Sequence, residues 1–259
     1  MAMSAYGAPG VLPGCQTNAW RIDAGDRESL LSVLRTIKTL GYQGFETTFR
    51  NLEKHPREFA AAVKASGLRF LGIHIWMPEY GADGLPSPDL VARVADLGAG
   101  YGAERLILSG APAAAGLREK LTGLAAASRR AKSAGLAFAY HNHGPEFSSS
   151  PREVDDLLAG SSVDLILDAG HAWLAGGDPA AFFEKHHRRI AGMHLRDFRD
   201  KEQVPLGEGV VDYASLAAAA RRTGWTGWVI NEEERLNNVK PGEAAVRPAR
   251  ETLKKLFGV

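Results

Sequence analysis

The sequence predicts an α/β protein built as a single (β/α)8 TIM barrel over residues 1–259. The chain has 259 residues and is 45% hydrophobic, which suits one barrel with one large core. Short apolar runs alternate with longer stretches of helical periodicity, as in repeated βα units. Eight such runs can be counted, and no stretch rich in proline, serine and glycine divides the chain into domains.

Each predicted strand is a short apolar run at the start of a βα unit. In chain order the strands cover residues 12–19, 44–47, 69–73, 105–109, 137–141, 165–168, 191–195 and 228–232. Because a helical stretch follows each run, the strands are expected to lie parallel to one another.

The predicted helices lie between these strands and after the last one. They cover residues 28–39, 56–66, 89–102, 117–134, 152–159, 179–189, 213–223 and 244–256. Several end in a glycine just before the next strand, at Gly41, Gly67, Gly135 and Gly224, which suits a left-handed helix cap.

Two long irregular stretches, residues 75–86 and 197–211, both lie between a strand and the following helix. Barrels of this kind carry their active sites on that side, at the carboxyl ends of the strands. The sequence therefore predicts a functional site at this mouth.

Charge and cysteine content limit the kinds of partner. The 31 lysines and arginines nearly balance 30 acidic residues, so no net field attracts nucleic acid or anionic membranes. Cys15 is the only cysteine, which excludes an internal disulfide. Residues 1–13 lack the pattern of a signal peptide, and no apolar run is long enough to span a bilayer. A cytoplasmic protein with no nucleic-acid or membrane partner is expected.

Four strand ends carry residue types that bind metal ions. His141, Asp168, His194 and Glu232 close the fifth to eighth predicted strands, and parallel strands bring such ends together. Two imidazoles and two carboxylates form a mixed nitrogen and oxygen shell for one divalent ion. Manganese is the first choice, with cobalt, magnesium, zinc or iron as alternatives. Taken singly, each residue also fits a structural hydrogen bond or a helix cap.

The motifs along the whole barrel resemble the xylose isomerase-like TIM-barrel superfamily, which includes sugar phosphate isomerases, ketose 3-epimerases, inosose dehydratase and endonuclease IV. The matching segments are GFET with Glu46, GIH with His74, YHNH with Glu146, LDAGH, MHLRD, PLGEGVVD and GWVINEE.

The resemblance implies metal ligands at the ends of strands five to eight. Asp168, His194 and Glu232 match three of them, while His141 stands where the family more often has a glutamate. In the ketose 3-epimerases two metal-bound glutamates act from opposite faces of the substrate. A metal-bound histidine is a poor second base, so this departure argues against a symmetric two-glutamate epimerisation.

The resemblance also implies roles for residues near the ligands. Glu232 is expected to bind the metal and act as a base, with His171 or Glu146 as the opposing acid or base. Substrate contacts are expected from residues at the mouth, namely Glu46, His74, Trp76, His143, Arg196 and Glu208. Alternatives remain for several of them: His74 and Glu46 fit buried hydrogen bonds equally well, Glu208 fits a surface loop, and Arg196 and Asp197 fit loop anchors.

The expected function is a metal-dependent sugar or cyclitol isomerase or epimerase that works through an enediolate, with a homodimer as one expected assembly. The alternative is a dehydratase of the inosose dehydratase type, in which the same enolate expels a β-substituent. An endonuclease IV-like role is disfavoured because strand four ends in LILSG and residues 197–209 contain no histidine to complete a three-zinc cluster. A non-catalytic sugar-binding barrel is the remaining alternative.

Overall fold

Ten strands lie within residues 10–110, 116–149, 152–234 and 240–259, the part of the chain that the computed structural model describes. They are β1 (Val11–Gln16), β2 (Gly44–Thr48), β3 (Arg69–Ile75), β4 (Arg105–Ser109), β5 (Ala137–His141), β6 (Asp164–Asp168), β7 (Ile190–Leu195), β8 (Asp197–Arg199), β9 (Glu202–Val204) and β10 (Gly227–Asn231). Eight of them pair in parallel in the order β1-β10-β7-β6-β5-β4-β3-β2 and close into a barrel. The predicted (β/α)8 fold class is confirmed.

Helices separate consecutive barrel strands and follow the last one. They are α1 (Arg27–Thr39), α2 (Phe59–Ala65), α3 (Pro88–Tyr101), α4 (Leu117–Ser133), α5 (Pro145–Ser148), α6 (Glu153–Gly160), α7 (Ala169–Leu174), α8 (Pro179–His186), α9 (Tyr213–Thr223) and α10 (Glu243–Phe257). No helix among the described residues combines the length and apolar character needed to cross a bilayer. Residues 1–9, which belong to the segment inspected for a signal peptide, lie outside the described residues.

Side chains cap several of these helices. The Asp26 carboxylate accepts a hydrogen bond from the backbone N–H of Glu28 at the start of α1, and Asp212 accepts from Ser215 at the start of α9. At the end of α9, Gly224 adopts φ 64°, a left-handed conformation that glycine tolerates best. Gly41, Gly67 and Gly135 have φ values of 85°, 69° and 82°, so all four glycine caps predicted from the sequence are present.

The largest difference from the predicted elements lies in residues 197–211. This stretch was expected to be irregular, but β8 and β9 pair within it as an antiparallel hairpin. Asp200 and Lys201 form its turn with φ values of 50° and 67°. Tight hairpin turns with positive φ values usually contain glycine or asparagine. Asp200 and Lys201 are neither, so the sequence did not predict this hairpin.

Apolar side chains fill the interior of the barrel in small clusters, one of which consists of Ile107, Ala139 and Ile166. Side chains alternate along a strand, so residues two positions apart point to the same side. His141 therefore lies above Ala139 on β5, and Asp168 lies above Ile166 on β6. The apolar interior ends in a layer of ionisable side chains at the mouth.

Candidate metal centre and active site

His141, Asp168, His194 and Glu232 meet at the carboxyl end of the barrel. All four are buried, and one nitrogen or oxygen atom from each lies within 4.8 Å of the others. The His141 Nε2 atom is 3.6 Å from Asp168 Oδ2 and 3.7 Å from Glu232 Oε2. His194 Nδ1 is 2.5 Å from Glu232 Oε2. These residues could hold a metal ion.

Strand register explains this convergence. Asp168 on β6 is paired with His194 on β7, so their side chains are lateral neighbours on the same face of the barrel. Glu232 follows β10 directly, and its backbone N–H donates to the Leu195 carbonyl at 3.1 Å, which continues the strand pairing by one residue. His141, the last residue of β5, is paired with Ile166 on β6, so the barrel fixes the backbone of all four residues.

The chemistry of the four residues fits a divalent ion. Ligand bonds of about 2.0–2.2 Å place the atoms around one ion roughly 3 Å or more apart. The distances from His141 Nε2 to the other three residues fit this range, whereas His194 Nδ1 and Glu232 Oε2 would have to move apart around an ion. Asp168 Oδ2 is buried and accepts no well-oriented hydrogen bond, although the Arg196 guanidinium lies close to it. A metal ion bound by the four residues would satisfy this buried oxygen.

Arg196 supplies a positive charge to this cluster. Its Nε atom lies 2.8 Å from Asp168 Oδ2, and its Nη2 atom lies 2.5 Å from Glu232 Oε2. Burial raises the pKa of each carboxyl group, but the guanidinium and the neighbouring histidines together outweigh burial and hold both pKa values well below their usual range. Both carboxylates are therefore ionised and able to serve as ligands.

Two carboxylates also flank His194. Burial lowers its pKa, but the charges of Glu46 and Glu232 outweigh burial and raise the pKa to about 10. His194 Nε2 is 2.8 Å from Glu46 Oε2, on the ring edge away from Glu232. One edge of the imidazole thus faces the four-residue cluster, and the other faces Glu46.

A pocket of about 190 Å³ opens above the cluster. Five residues that the sequence assigned to catalysis or substrate binding line it, in addition to the cluster residues His141 and Glu232. They are His74, Trp76, His143, His171 and Arg196. Burial is the main cause that lowers the pKa of His171 to about 3 and that of His143 to about 4, so both imidazoles are neutral near pH 7.

Glu146, expected to act as an acid or base, lies behind the pocket wall. The Tyr140 hydroxyl donates to its Oε1 atom at 2.6 Å, and the His143 backbone N–H donates to its Oε2 atom at 3.1 Å. Lys120 Nζ is 3.9 Å from Oε1. This carboxylate is completely buried and holds the segment that carries His143.

Glu208 and Glu46, both expected to contact substrate, also lie away from the pocket surface. Glu208 is exposed on the loop after β9. Its neighbours Gly207 and Gly209 donate backbone N–H groups to Asp197 Oδ2, both at 3.0 Å. Asp197 therefore anchors this loop, the second of the two roles considered for it. Glu46 is completely buried on β2, below His74 and His194.

Several residues that line the pocket were missed by sequence reasoning. They are Gln16, Asn18, Thr48, Met77, Ser109 and Glu234. Each follows or ends a barrel strand or lies in a strand-to-helix loop, so position was the signal available. Most are small uncharged polar residues, which are common in every loop, and nothing in their spacing distinguishes them.

The two carboxylate oxygens of Glu232 have different surroundings. Oε2 faces His141, His194 and Arg196, whereas Oε1 accepts a hydrogen bond from the Asn18 amide at 3.0 Å. Asn18 lies in the pocket wall. One side chain can therefore contribute a metal ligand and present a second oxygen to a bound molecule.

A family described as xylose isomerase-like TIM barrel matches residues 34–256 of the chain. Among solved structures, the IolI protein with a bound zinc atom superposes with a TM-score of 0.75 over 95% of this chain and 98% of that chain, at 14% sequence identity. This similarity extends over the whole barrel and concerns the fold.

Curated relatives match a shorter stretch. The rhizopine catabolism protein MocC of Rhizobium meliloti is 32% identical in an alignment of 137 residues, and the match covers 44% of this chain and 41% of MocC. Inosose dehydratase of Lacticaseibacillus casei is 29% identical in an alignment of 136 residues, and the match covers 44% of this chain and 45% of that enzyme. The matched stretch spans less than half the length of each relative.

Proposed function

Because the chain belongs to the xylose isomerase-like TIM-barrel family, we propose that it is a metal-dependent enzyme that removes a proton beside a carbonyl group and then expels water. The substrate class is a keto-sugar or keto-cyclitol, and the product is the corresponding unsaturated ketone. His141, Asp168, His194 and Glu232 would hold the divalent ion, with manganese as the first choice.

The position of Glu232 carries this proposal. Its Oε2 atom belongs to the buried cluster, while its Oε1 atom reaches the pocket beside Asn18. His141 occupies the end of β5, so the cluster contains no second glutamate. Such a site has one metal-adjacent base, which suits an elimination better than an epimerisation that needs a glutamate on each face.

A bound divalent ion would polarise the substrate carbonyl and stabilise negative charge that develops on its oxygen. Glu232 Oε1 would accept the proton from the carbon beside the carbonyl, and the electrons of that C–H bond would form the enolate. The carbon–oxygen bond at the β-carbon would then break. The protonated Glu232 would return its proton to the departing hydroxide, which gives water and regenerates the carboxylate.

The uncharged polar residues of the pocket wall support a hydroxylated substrate. Asn18, Thr48 and Ser109 offer hydrogen bonds to hydroxyl groups, and Trp76 offers an apolar face to the C–H side of a ring. His171 is neutral near pH 7 and would orient a hydroxyl group through hydrogen bonds. The relatives named inosose dehydratase also support loss of water from a keto-cyclitol.

Isomerisation or epimerisation is the second candidate function, as expected first from the sequence. Glu234 favours it, because this second carboxylate lies in the pocket wall although it is outside the four-residue cluster. It could return a proton to the enediolate at another carbon or on another face. The two reactions share the first proton transfer and differ in the fate of the enolate.

Incubation of manganese-loaded protein with keto-cyclitols and ketoses in deuterated water tests the proposal. Loss of water with formation of an enone or dione is expected, and Glu232→Gln should lower its rate by at least about 100-fold. Glu208→Gln, which changes an exposed carboxylate outside the pocket, is the matched control. Solvent deuterium in a product without a new double bond would support isomerisation or epimerisation instead. If the protein catalysed neither reaction with any of these substrates, that result would contradict an enzyme of this class.

A further inference from the structure

Glu46 lies within the barrel, one layer below the pocket surface, between two histidines. Its Oε2 atom is 2.7 Å from His74 Nε2 and 2.8 Å from His194 Nε2. These are hydrogen-bond distances, and a carboxylate oxygen is only an acceptor. Both imidazoles therefore donate an N–H to the same oxygen of Glu46.

This arrangement fixes which nitrogen of His194 faces the metal cluster. Nε2 carries the proton that Glu46 accepts. Without metal, Nδ1 is protonated as well, because the Glu232 carboxylate beside it can only accept a hydrogen bond. A metal ion would displace the Nδ1 proton, so Nδ1 is the nitrogen that would serve as a ligand. Nδ1 is the atom that lies 2.5 Å from Glu232 Oε2 and 3.0 Å from His141 Nε2. A carboxylate that orients a metal-bound histidine in this way typically strengthens metal binding.

The same carboxylate orients a residue of the pocket wall. With Nε2 of His74 donating to Glu46, its Nδ1 atom is an acceptor for the Ser109 hydroxyl, which lies 3.2 Å away. His74 and Ser109 both line the pocket. A continuous series of hydrogen bonds thus runs from Ser109 through His74 and Glu46 to His194.

We infer that Glu46 is a positioning residue that fixes the ring orientation and the protonated nitrogen of His194 for metal binding and connects it to His74 in the pocket wall. It contacts neither the pocket nor the four-residue cluster's centre, so its effect on the reaction passes through the two histidines. This assignment replaces the substrate contact expected for Glu46 and rests on the proposed metal site.

Glu46, His74 and His194 also have the residue types of a second metal site. In this group Nε2 of each histidine carries the proton that Glu46 accepts, so neither of these nitrogens has a lone pair for a second ion. One ion per chain is therefore expected.

Zinc titration of chelator-stripped protein by calorimetry tests the inference. Glu46→Leu is expected to weaken zinc binding about 10- to 100-fold, the usual effect of losing such a partner. Glu46→Gln, which keeps one acceptor oxygen, should recover part of that loss. Glu79→Gln is the matched control, because Glu79 pairs with Arg50 outside the site. This variant should bind zinc with the affinity of the wild-type protein.

A second measurement needs no variant. Nitrogen NMR of the zinc-loaded wild-type protein should show His194 with a protonated Nε2 and a metal-bound Nδ1. Metal on Nε2, two zinc ions per chain, or wild-type affinity in Glu46→Leu would overturn the role of Glu46 while leaving the proposed enzyme function standing. A wild-type protein that binds no zinc, manganese or other divalent ion would overturn both.

Discussion

Nη2 of Arg196 lies 2.5 Å from Oε2 of Glu232, the carboxylate oxygen that also faces His141 and His194. The same guanidinium contacts Asp168, so one arginine pairs with two carboxylates of the candidate metal centre. Buried carboxylates are costly without a cation, and here the polypeptide itself supplies one.

Replacing this cation should make folding more dependent on metal. Arg196→Met is expected to lower the free energy of unfolding of the metal-free protein by roughly 3–5 kcal/mol, because it leaves buried carboxylates without a partner. Added manganese or zinc should then raise the melting temperature more in the variant than in the wild type. Differential scanning fluorimetry with and without metal measures this. Arg199→Gln changes an exposed arginine of the neighbouring hairpin and should behave like wild type.

Glu146 should act through structure rather than proton transfer. Glu146→Gln is expected to lower the free energy of unfolding by about 2–4 kcal/mol, measured by chemical denaturation. The reason is that it replaces the buried carboxylate that accepts hydrogen bonds from the Tyr140 hydroxyl and the His143 backbone N–H. Glu119→Gln, on the exposed face of α4, should be neutral. If Glu146→Gln instead keeps full stability and turns over substrate at least about 100-fold more slowly, the acid or base role expected from the sequence is restored.

Asp197 should be essential to the loop that follows β9. Its carboxylate accepts backbone N–H groups from Gly207 and Gly209 at 3.0 Å and from Val211 at 3.2 Å. Asp197→Ala is expected to destabilise the protein by about 2–4 kcal/mol and to increase proteolysis within residues 199–211. Unchanged protection of those amides in hydrogen exchange would contradict the anchoring role.

A glycine of the LDAGH motif should be intolerant of any side chain. A Cβ atom at Gly170 would collide with the Arg196 carbonyl oxygen, so the backbone next to the metal cluster would have to move. Gly170→Ala should therefore lose at least about 2 kcal/mol of stability and bind metal more weakly. Gly100→Ala is the control, because nothing lies within 4 Å of its added Cβ and alanine favours the helix by about 0.5–1 kcal/mol. Equal stability of the two variants would argue against this close contact.

Trp76 should contribute to substrate binding rather than to the chemical step. Its side chain lines the pocket and is 43% exposed, so it is available to a ligand. Trp76→Ala is expected to raise KM by about 5- to 30-fold with little change in kcat. The reason is that the ring would stabilise the bound substrate and the transition state equally, by roughly 1–2 kcal/mol. Steady-state kinetics of Trp76→Ala and Trp76→Phe separate these effects, and a fall in kcat alone would contradict them.

The sequence by itself determined the barrel and the four residues of the cluster. Alternation of short apolar runs with helical stretches depends only on local periodicity, and the closing residues of parallel strands must meet at one mouth. His141, Asp168, His194 and Glu232 followed from that rule together with a family resemblance. The hairpin of β8 and β9 was missed because its turn lacks the usual residues.

Only the tertiary structure decided the roles of the carboxylates around the cluster. Glu46, Glu146 and Glu208 were all placed near the mouth by sequence position, yet Glu46 lies below the histidines, Glu146 behind the wall and Glu208 on the surface. Position along a strand gives the layer of a residue, but side-chain direction and partners depend on packing between elements distant in sequence. The hydrogen bond from His194 to Glu46 joins residues 148 positions apart, and no local pattern specifies such a contact.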